Sequence, residues 1–252
     1  MAKVISKLKL SGTIDGITFY KCSDQVLARE KGSPGITKKQ FAENPIYDFI
    51  KKQSSEFGYC VNKSRIFRQL AKPLFDRAKE VSFAGRVNQL LFEILEEDTL
   101  NPKGKRTLEQ GLDQPVIDDL LLHFEGNKLR PLKRVLKLPV IFDWKQNTIS
   151  LTSLHVDRDI VWPTPEANQV HIQVGIADWD YKNDSFEHHF SNEIVLKRDE
   201  DIAFPLSFIL EPLSTRNLWI AFLFIGFSNK ERRKTKLLHK KWNTVTIIGV
   251  QK

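Results

Sequence analysis

Cysteine is scarce in this chain: Cys22 and Cys60 are the two thiols in 252 residues. Two cysteines so far apart supply neither a disulfide framework nor a zinc site, and both are expected to behave as small, half-buried hydrophobes. Long apolar runs are also missing. The longest, Leu218 to Phe227, is much too short for a transmembrane helix. Near the N-terminus Lys3, Lys7 and Lys9 interrupt any signal-peptide apolar region, and no small-residue cleavage site follows. The expectation is a soluble chain that is cytoplasmic at synthesis, with release or export by another route, and no membrane partner.

Catalytic signatures are absent too. There is no Gly-x-Ser-x-Gly elbow, no His-Glu-x-x-His pair and no dinucleotide glycine fingerprint. Gly104-Lys105-Arg106-Thr107 has the ending of a phosphate-binding loop, but it lacks that loop's first glycine and does not follow a strand. His188 and His189 fall on opposite faces of an expected strand, so they cannot chelate one metal together. His171 could approach one of them across neighbouring strands, but no carboxylates stand at suitable spacing. The acids of Glu96-Glu97-Asp98 and Asp199-Glu200-Asp201 are adjacent in sequence, whereas a catalytic pair must converge from separate elements. No enzyme activity, catalytic residue, cofactor, metal or small-molecule substrate is therefore assigned.

Apolar residues and positive charge are plentiful. A hydrophobic fraction of 41%, with seventeen Phe and five Trp, is enough for a real core in one large domain or two modest ones. The net charge of +8 makes acidic partners plausible.

The strongest local signal is Asp15-Gly16 between two short β-prone runs, because a type I′ turn needs positive φ at both central residues. Leu8 and Leu10 alternate with Lys7 and Lys9, while Ile17 and Phe19 alternate with Thr18 and Tyr20. Each strand thus has one apolar and one polar face. A lone hairpin is marginal in water and must borrow a surface, from this chain or from a neighbouring subunit.

The run Gly12 to Lys21 and the segment Leu27-Ala28-Arg29-Glu30-Lys31-Gly32 resemble an uncharacterised family of bacterial proteins from the Bacteroidota. Ser55-Glu56-Phe57-Gly58 and Arg68-Gln69-Leu70-Ala71-Lys72-Pro73-Leu74 extend the resemblance, which is motif-level over roughly the first third of the chain and organisational beyond about Leu100. It implies a glycine-rich β N-terminus, a basic helical segment, a β-rich C-terminal half and a non-enzymatic bacterial protein. No activity is implied, so no catalytic residue is carried over.

After Gly32-Ser33-Pro34-Gly35 the periodicity changes. Asn44-Pro45 reads as an N-cap with Pro at N1, opening a helix with Ile46, Phe49 and Ile50 on one face and Gly58 beyond its end. Ser64 is expected to cap a second helix whose apolar stripe runs from Ile66 to Val81, kinked at Pro73. A third buries Val87, Leu90, Leu91, Ile94 and Leu95 and leaves Glu93, Glu96, Glu97 and Asp98 outside. Eleven basic residues, among them Lys63, Arg65, Arg68, Lys72, Arg77, Lys79 and Arg86, are expected on outer faces of this segment. Asn101-Pro102-Lys103-Gly104-Lys105 reads as a linker, and Asp113 to Phe124 as a short amphipathic helix or strand.

From Val135 onward the pattern is β. Strands are expected at 139–143, 148–154, 169–181, 186–196, 202–210, 218–227 and 244–250, at the spacing of an antiparallel sandwich. Between the last two lies the densest charge, with Lys230, Arg232, Arg233, Lys234, Lys236, Lys240 and Lys241 against the single acid Glu231. This long hairpin loop, with Trp242 to stack on a base, is the candidate for binding an anion, nucleic acid or an acidic protein surface. Aromatics interleaved with basics on a sheet face, the usual mark of nucleic-acid binders, are missing, so the loop reads equally as a solvated one.

The whole reads as an α+β protein: a β-hairpin arm (1–35), a basic three-helix segment (36–100), a linker with a short helix or strand (101–134) and an antiparallel β-sandwich (135–252). The functional expectation is a structural or interaction protein that self-associates into an oligomer, filament or tube. Strand exchange through the arm residues Leu8, Leu10, Asp15, Gly16, Ile17, Phe19 and Tyr20 would drive it. The alternative is a nucleic-acid-associated basic protein using residues 230–241.

Overall fold

A computed structural model of the chain describes residues 2–3, 10–22, 25–32, 35–199, 204–215, 217–231 and 234–252. The fold is α+β and divides into two compact units, Met1–Ile50 and Lys51–Lys252.

The first unit holds four antiparallel strands, β1 (Ala2–Lys3), β2 (Gly12–Ile14), β3 (Ile17–Cys22) and β4 (Gln25–Glu30), in the order β1-β4-β3-β2. Asp15 and Gly16 turn between β2 and β3 with φ of +46° and +78°, the pair of left-handed residues that a type I′ turn demands. The single hairpin of the sequence reading is therefore part of a larger sheet. Gln25–Glu30 adds a second hairpin because Val26 and Ala28 continue the same alternation. Leu8, Ser33 and Pro34 lie outside the described residues. Helix α1 (Lys38–Glu43) follows, closed by a capping box between Thr37 and Gln40. Asn44 then accepts from the Ile46 N–H at 3.0 Å and opens the 3-10 turn Pro45–Tyr47, so its role as a cap ahead of proline is as expected.

Helix α2 (Asp48–Leu70) runs without interruption through both Gly58 and Ser64. An exposed glycine costs a helix only about 1 kcal/mol, and the face that buries Cys60, Phe67 and Leu70 outweighs it. Ser64 is buried in mid-helix, its hydroxyl within hydrogen-bond reach of Val61 O (2.8 Å) and the Asn88 side-chain amide (2.5 Å) instead of capping. The chain breaks at Ala71, and Pro73 sits in the first turn of α3 (Lys72–Ala78), where proline starts a helix instead of kinking one. Val81 leaves the expected stripe and stands fully exposed in the turn before α4 (Phe83–Glu96). The segment between α4 and the β half contains two short helices, α5 (Leu108–Leu112) and α6 (Ile117–Leu121).

The β half contains two antiparallel sheets. A small one orders β10-β6-β5, from β5 (Ile141–Asp143), β6 (Thr148–Leu154) and β10 (Phe204–Ile209), and the short helix α7 (Val156–Asp159) follows β6. The large sheet has two long strands as its spine, β7 (Gln169–Asp180) and β11 (Trp219–Glu231). Each outer edge is shared by two short strands. β8 (Ser185–Phe190) and β9 (Ile194–Lys197) divide the edge of β7, while β12 (Lys234–Leu237) and β13 (Thr244–Gln251) divide that of β11. The expected strand 186–196 is thus broken in two at Ser191–Glu193, where the Ser191 N–H turns inward to Val174 O.

The run Leu218 to Phe227 lacks alternation because both faces of β11 are covered. Ile220, Phe222 and Phe224 pack with Trp179, Val245, Ile247 and the helices, against Phe67, Phe75 and Leu91. Ala221, Leu223, Ile225 and Phe227 pack with Ile172 and Val174 against Ile149, Leu151 and Phe208 of the small sheet. The helical segment and the β half accordingly share one core inside the second unit. Among the described residues no helix is long and apolar enough to cross a membrane.

Candidate functional site

Register assigns each residue of the N-terminal sheet to a face, since directly opposed residues point the same way. Ile14 pairs with Ile17, Phe19 with Gly12 and Ala28, Lys21 with Val26, and Ile17 with Glu30. One face therefore carries Ile14, Ile17, Phe19, Val26 and Ala28, with Lys21 at one end and Glu30 at the other. The opposite face carries Thr13 and Thr18, whose hydroxyls are 3.0 Å apart, and Tyr20, with the Arg29 guanidinium 5.5 Å from its ring centre. Among the candidate arm residues, Ile17 and Phe19 thus converge. Tyr20 belongs to the other face, Leu10 precedes β2, and Asp15 and Gly16 make the turn. No described residue from Leu10 to Ile50 is buried, and Ile14 and Ile17 are 53% and 44% exposed.

The expected half-buried state holds for neither cysteine. Cys22 ends β3 in the open, whereas Cys60 is fully buried in α2, where burial pushes its thiol up to about 12.

The segment Lys230 to Lys241 is not one long loop. Lys234–Leu237 pairs with Ser228–Glu231 as β12, so the described part of the basic cluster is a two-stranded ribbon. Pairing places Lys230 on one face and Lys234 and Lys236 on the other, Lys234 directly opposite Glu231. Charge is split between two surfaces instead of concentrated on one. Arg232 and Arg233 lie outside the described residues. Lys240 falls in the 3-10 turn Lys240–Trp242, and Lys241 covers the ring of half-buried Trp242 at 4.8 Å, so that ring is already stacked upon.

Several expected surface charges are structural. Lys63, read as outward-facing, is buried and donates to Tyr181 O (2.6 Å) and Asp184 Oδ1 (2.7 Å), tying α2 to the turn between β7 and β8. Asp98, expected outside, is 3% exposed and accepts from the N–H groups of Leu100, Asn101 and Thr107. Glu56 accepts from the N–H groups of Gly104 and Arg106 and from the Arg106 guanidinium, at 2.6 to 3.2 Å. The expected linker 101–105 is therefore a pinned loop. Gly104 adopts φ +95°, and a Cβ there would meet Lys52 Cγ at 2.7 Å.

Where the helical layer ends, the helix-facing side of β7 turns polar. Gln169, His171 and Gln173 replace the apolar residues found further along, and Ser228 stands opposite Gln169 on β11. His171 Nε2 is 2.8 Å from Ser228 Oγ and Nδ1 is 3.2 Å from the Glu193 carboxylate, which Arg77 also grips. Burial raises the pKa of Glu193, but the Arg77 hydrogen bond and the nearby imidazole outweigh it and hold the carboxyl below its ordinary range. The order serine, histidine, carboxylate is that of a nucleophilic triad. Ser228, however, is fully buried and donates to Gln169 Oε1 at 3.3 Å, so no reacting carbonyl can reach it and the group is a structural network. Spacing in the sequence gave no sign of it, because its members come from α3, β7, β11 and the gap between β8 and β9. His188 and His189 point to opposite faces as expected, His188 Nδ1 3.1 Å from Leu70 O and His189 between Glu187 and Glu211.

No family model, curated protein or solved structure matches the chain.

Proposed function

We propose that this chain is a non-enzymatic structural protein that associates with copies of itself through the N-terminal sheet. One observation carries the reading: a four-stranded sheet gathers Ile14, Ile17, Phe19, Val26 and Ala28 on one face, yet none of these residues is buried. A sheet gains its stability by burying such a face, and a contiguous exposed apolar patch marks an interaction surface. The face also suits a second copy in its charge. With Lys21 at one end and Glu30 at the other, two sheets stacked about a two-fold axis perpendicular to the strands set each lysine near the partner's glutamate. The short strands β1 and β2, outermost among the described strands of this sheet, add edges on which assemblies of more than two copies could extend by strand addition.

Sedimentation velocity of the full, untagged chain over a range of concentrations tests this. Species heavier than the 29.2 kDa monomer are expected, and because the contact is mainly apolar they should persist at high salt. A monomer at every concentration would overturn the reading.

A further inference from the structure

The ribbon's inward lysine opens a separate question, since Lys230 lines a cleft of about 530 Å³ at the end of the large sheet, together with Asn168, Gln169 and Lys197. That volume is in the range of small-molecule sites. The floor is Gln169, only 7% exposed. Its Oε1 accepts from the buried Ser228 hydroxyl, and its Nε2, which no protein group takes, is open to solvent on the cleft side. A ligand acceptor can replace water on that donor.

Two cations flank this floor. Lys197 is the direct cross-strand partner of Gln169, and Lys230 lies two residues beyond Ser228, which is the partner of Gln169 on its other side. All three side chains therefore share one face, and neither ammonium has an ion pair among the described residues. Asn168 fixes the frame around them. Its side chain donates to Lys230 O (3.0 Å) and accepts from Lys230 N (2.8 Å), and its carbonyl accepts from Arg198 N (2.9 Å). Arg198 itself is committed to Asp157 at 2.8 Å. Asp199, also on the lining, has no ion pair among the described residues and can accept from a ligand hydroxyl.

The geometry points to a binding site for a phosphorylated small molecule, with the phosphoryl oxygens on Lys197, Lys230 and the Gln169 amide and a hydroxyl of the same molecule on Asp199. Lysine serves phosphate as a mobile point charge, and hydrogen bonds to ionised groups are about twice as strong as neutral ones. A nucleic-acid backbone is the less suitable occupant, because the remaining lysines of the ribbon, Lys234 and Lys236, face the other way.

Titration of the full chain with inorganic phosphate, ribose 5-phosphate, ribose and a single-stranded oligonucleotide, followed by amide chemical shifts, tests the site. Saturable shifts at residues 168–171, 197–199 and 228–230 are expected with phosphate, tighter with ribose 5-phosphate, and none with ribose. The Lys197→Ala/Lys230→Ala double variant, altered only on the surface, should weaken ribose 5-phosphate at least about tenfold. Lys234→Ala/Lys236→Ala should change it less than about twofold, since a screened charge on the opposite face contributes little. Absence of saturable binding by either phosphate, equal loss in both double variants, or binding of the oligonucleotide alone would overturn the assignment.

Discussion

Changing Ile17 and Phe19 together to aspartate should turn the assembled protein into a monomer while leaving the melting of residues 51–252 unchanged. The two side chains sit at the centre of the apolar face, on the strand that is paired on both sides. Burying each against a partner is worth about 1.5–3 kcal/mol, and in a two-fold contact each is buried twice. Aspartate removes that gain and sets like charges against one another across the interface. The fold of residues 51–252 loses little, because Ile17 is exposed and Phe19 only half-buried in the single chain, and both lie in the other unit. Thr13→Asp, on the opposite face, is the control and should assemble as the parent does. Light scattering distinguishes the outcomes: an assembled double variant, or a Thr13→Asp chain that is equally monomeric, would remove the apolar face from the explanation.

The largest effect on stability is expected from the ion pair that pins the 98–107 loop. The Glu56 side chain is 3% exposed and that of Arg106 7%, and Glu56 takes four hydrogen bonds from the loop. Glu56→Ala strands the guanidinium and two backbone N–H groups, and breaking one partner of a buried pair costs about 3–5 kcal/mol. In a unit of this size that is roughly a 10 °C fall in Tm. Arg106→Ala should cost less, because the Gly104 and Arg106 N–H groups remain to serve the carboxylate. The double variant should fall short of the sum of the two, as coupled sites do.

The same pair has a signature in acid. Burial raises the Glu56 pKa, but the Arg106 side chain and the two N–H groups outweigh it, so in the folded chain it lies below the ordinary 4.5. A carboxyl depressed on folding stabilises fully above its unfolded pKa and loses that contribution as pH falls through the folded value. Urea unfolding of Glu56→Ala should therefore show its full deficit at pH 7 and a shrinking one below about pH 4.5. A deficit that is independent of pH would mean that the effect comes from the cavity and not from the charge.

How much of this could be read in advance depended on whether the signal was local. The turn at Asp15-Gly16, the cap at Asn44 and the strand Thr148–Leu154 are written in adjacent residues, and the structure has each in place. The α+β class followed from the change of period. Helix ends were misread wherever tertiary burial outweighs a weak local breaker, as at Gly58 and Ser64 inside α2. Polar residues were misassigned for the same reason: Lys63 and Asp98 have the residue types of a solvated surface, and only their partners in the fold make them interior. The basic segment misled because strand pairing divides alternating lysines between two faces, which composition does not register. The cleft at Gln169 was illegible, since its residues come from β7, β9 and β11, which meet only in the folded sheet.

Hydrogen exchange at residues 10–30, measured as a function of protein concentration, tests self-association at its proposed surface. A sheet in which no described residue from 10 to 30 is buried opens easily, so its amides should exchange fast in dilute protein. Protection should rise with concentration in these strands, while β7 and β11, enclosed on both faces, stay protected throughout. Exchange at residues 10–30 that is the same at every concentration would contradict assembly through this sheet.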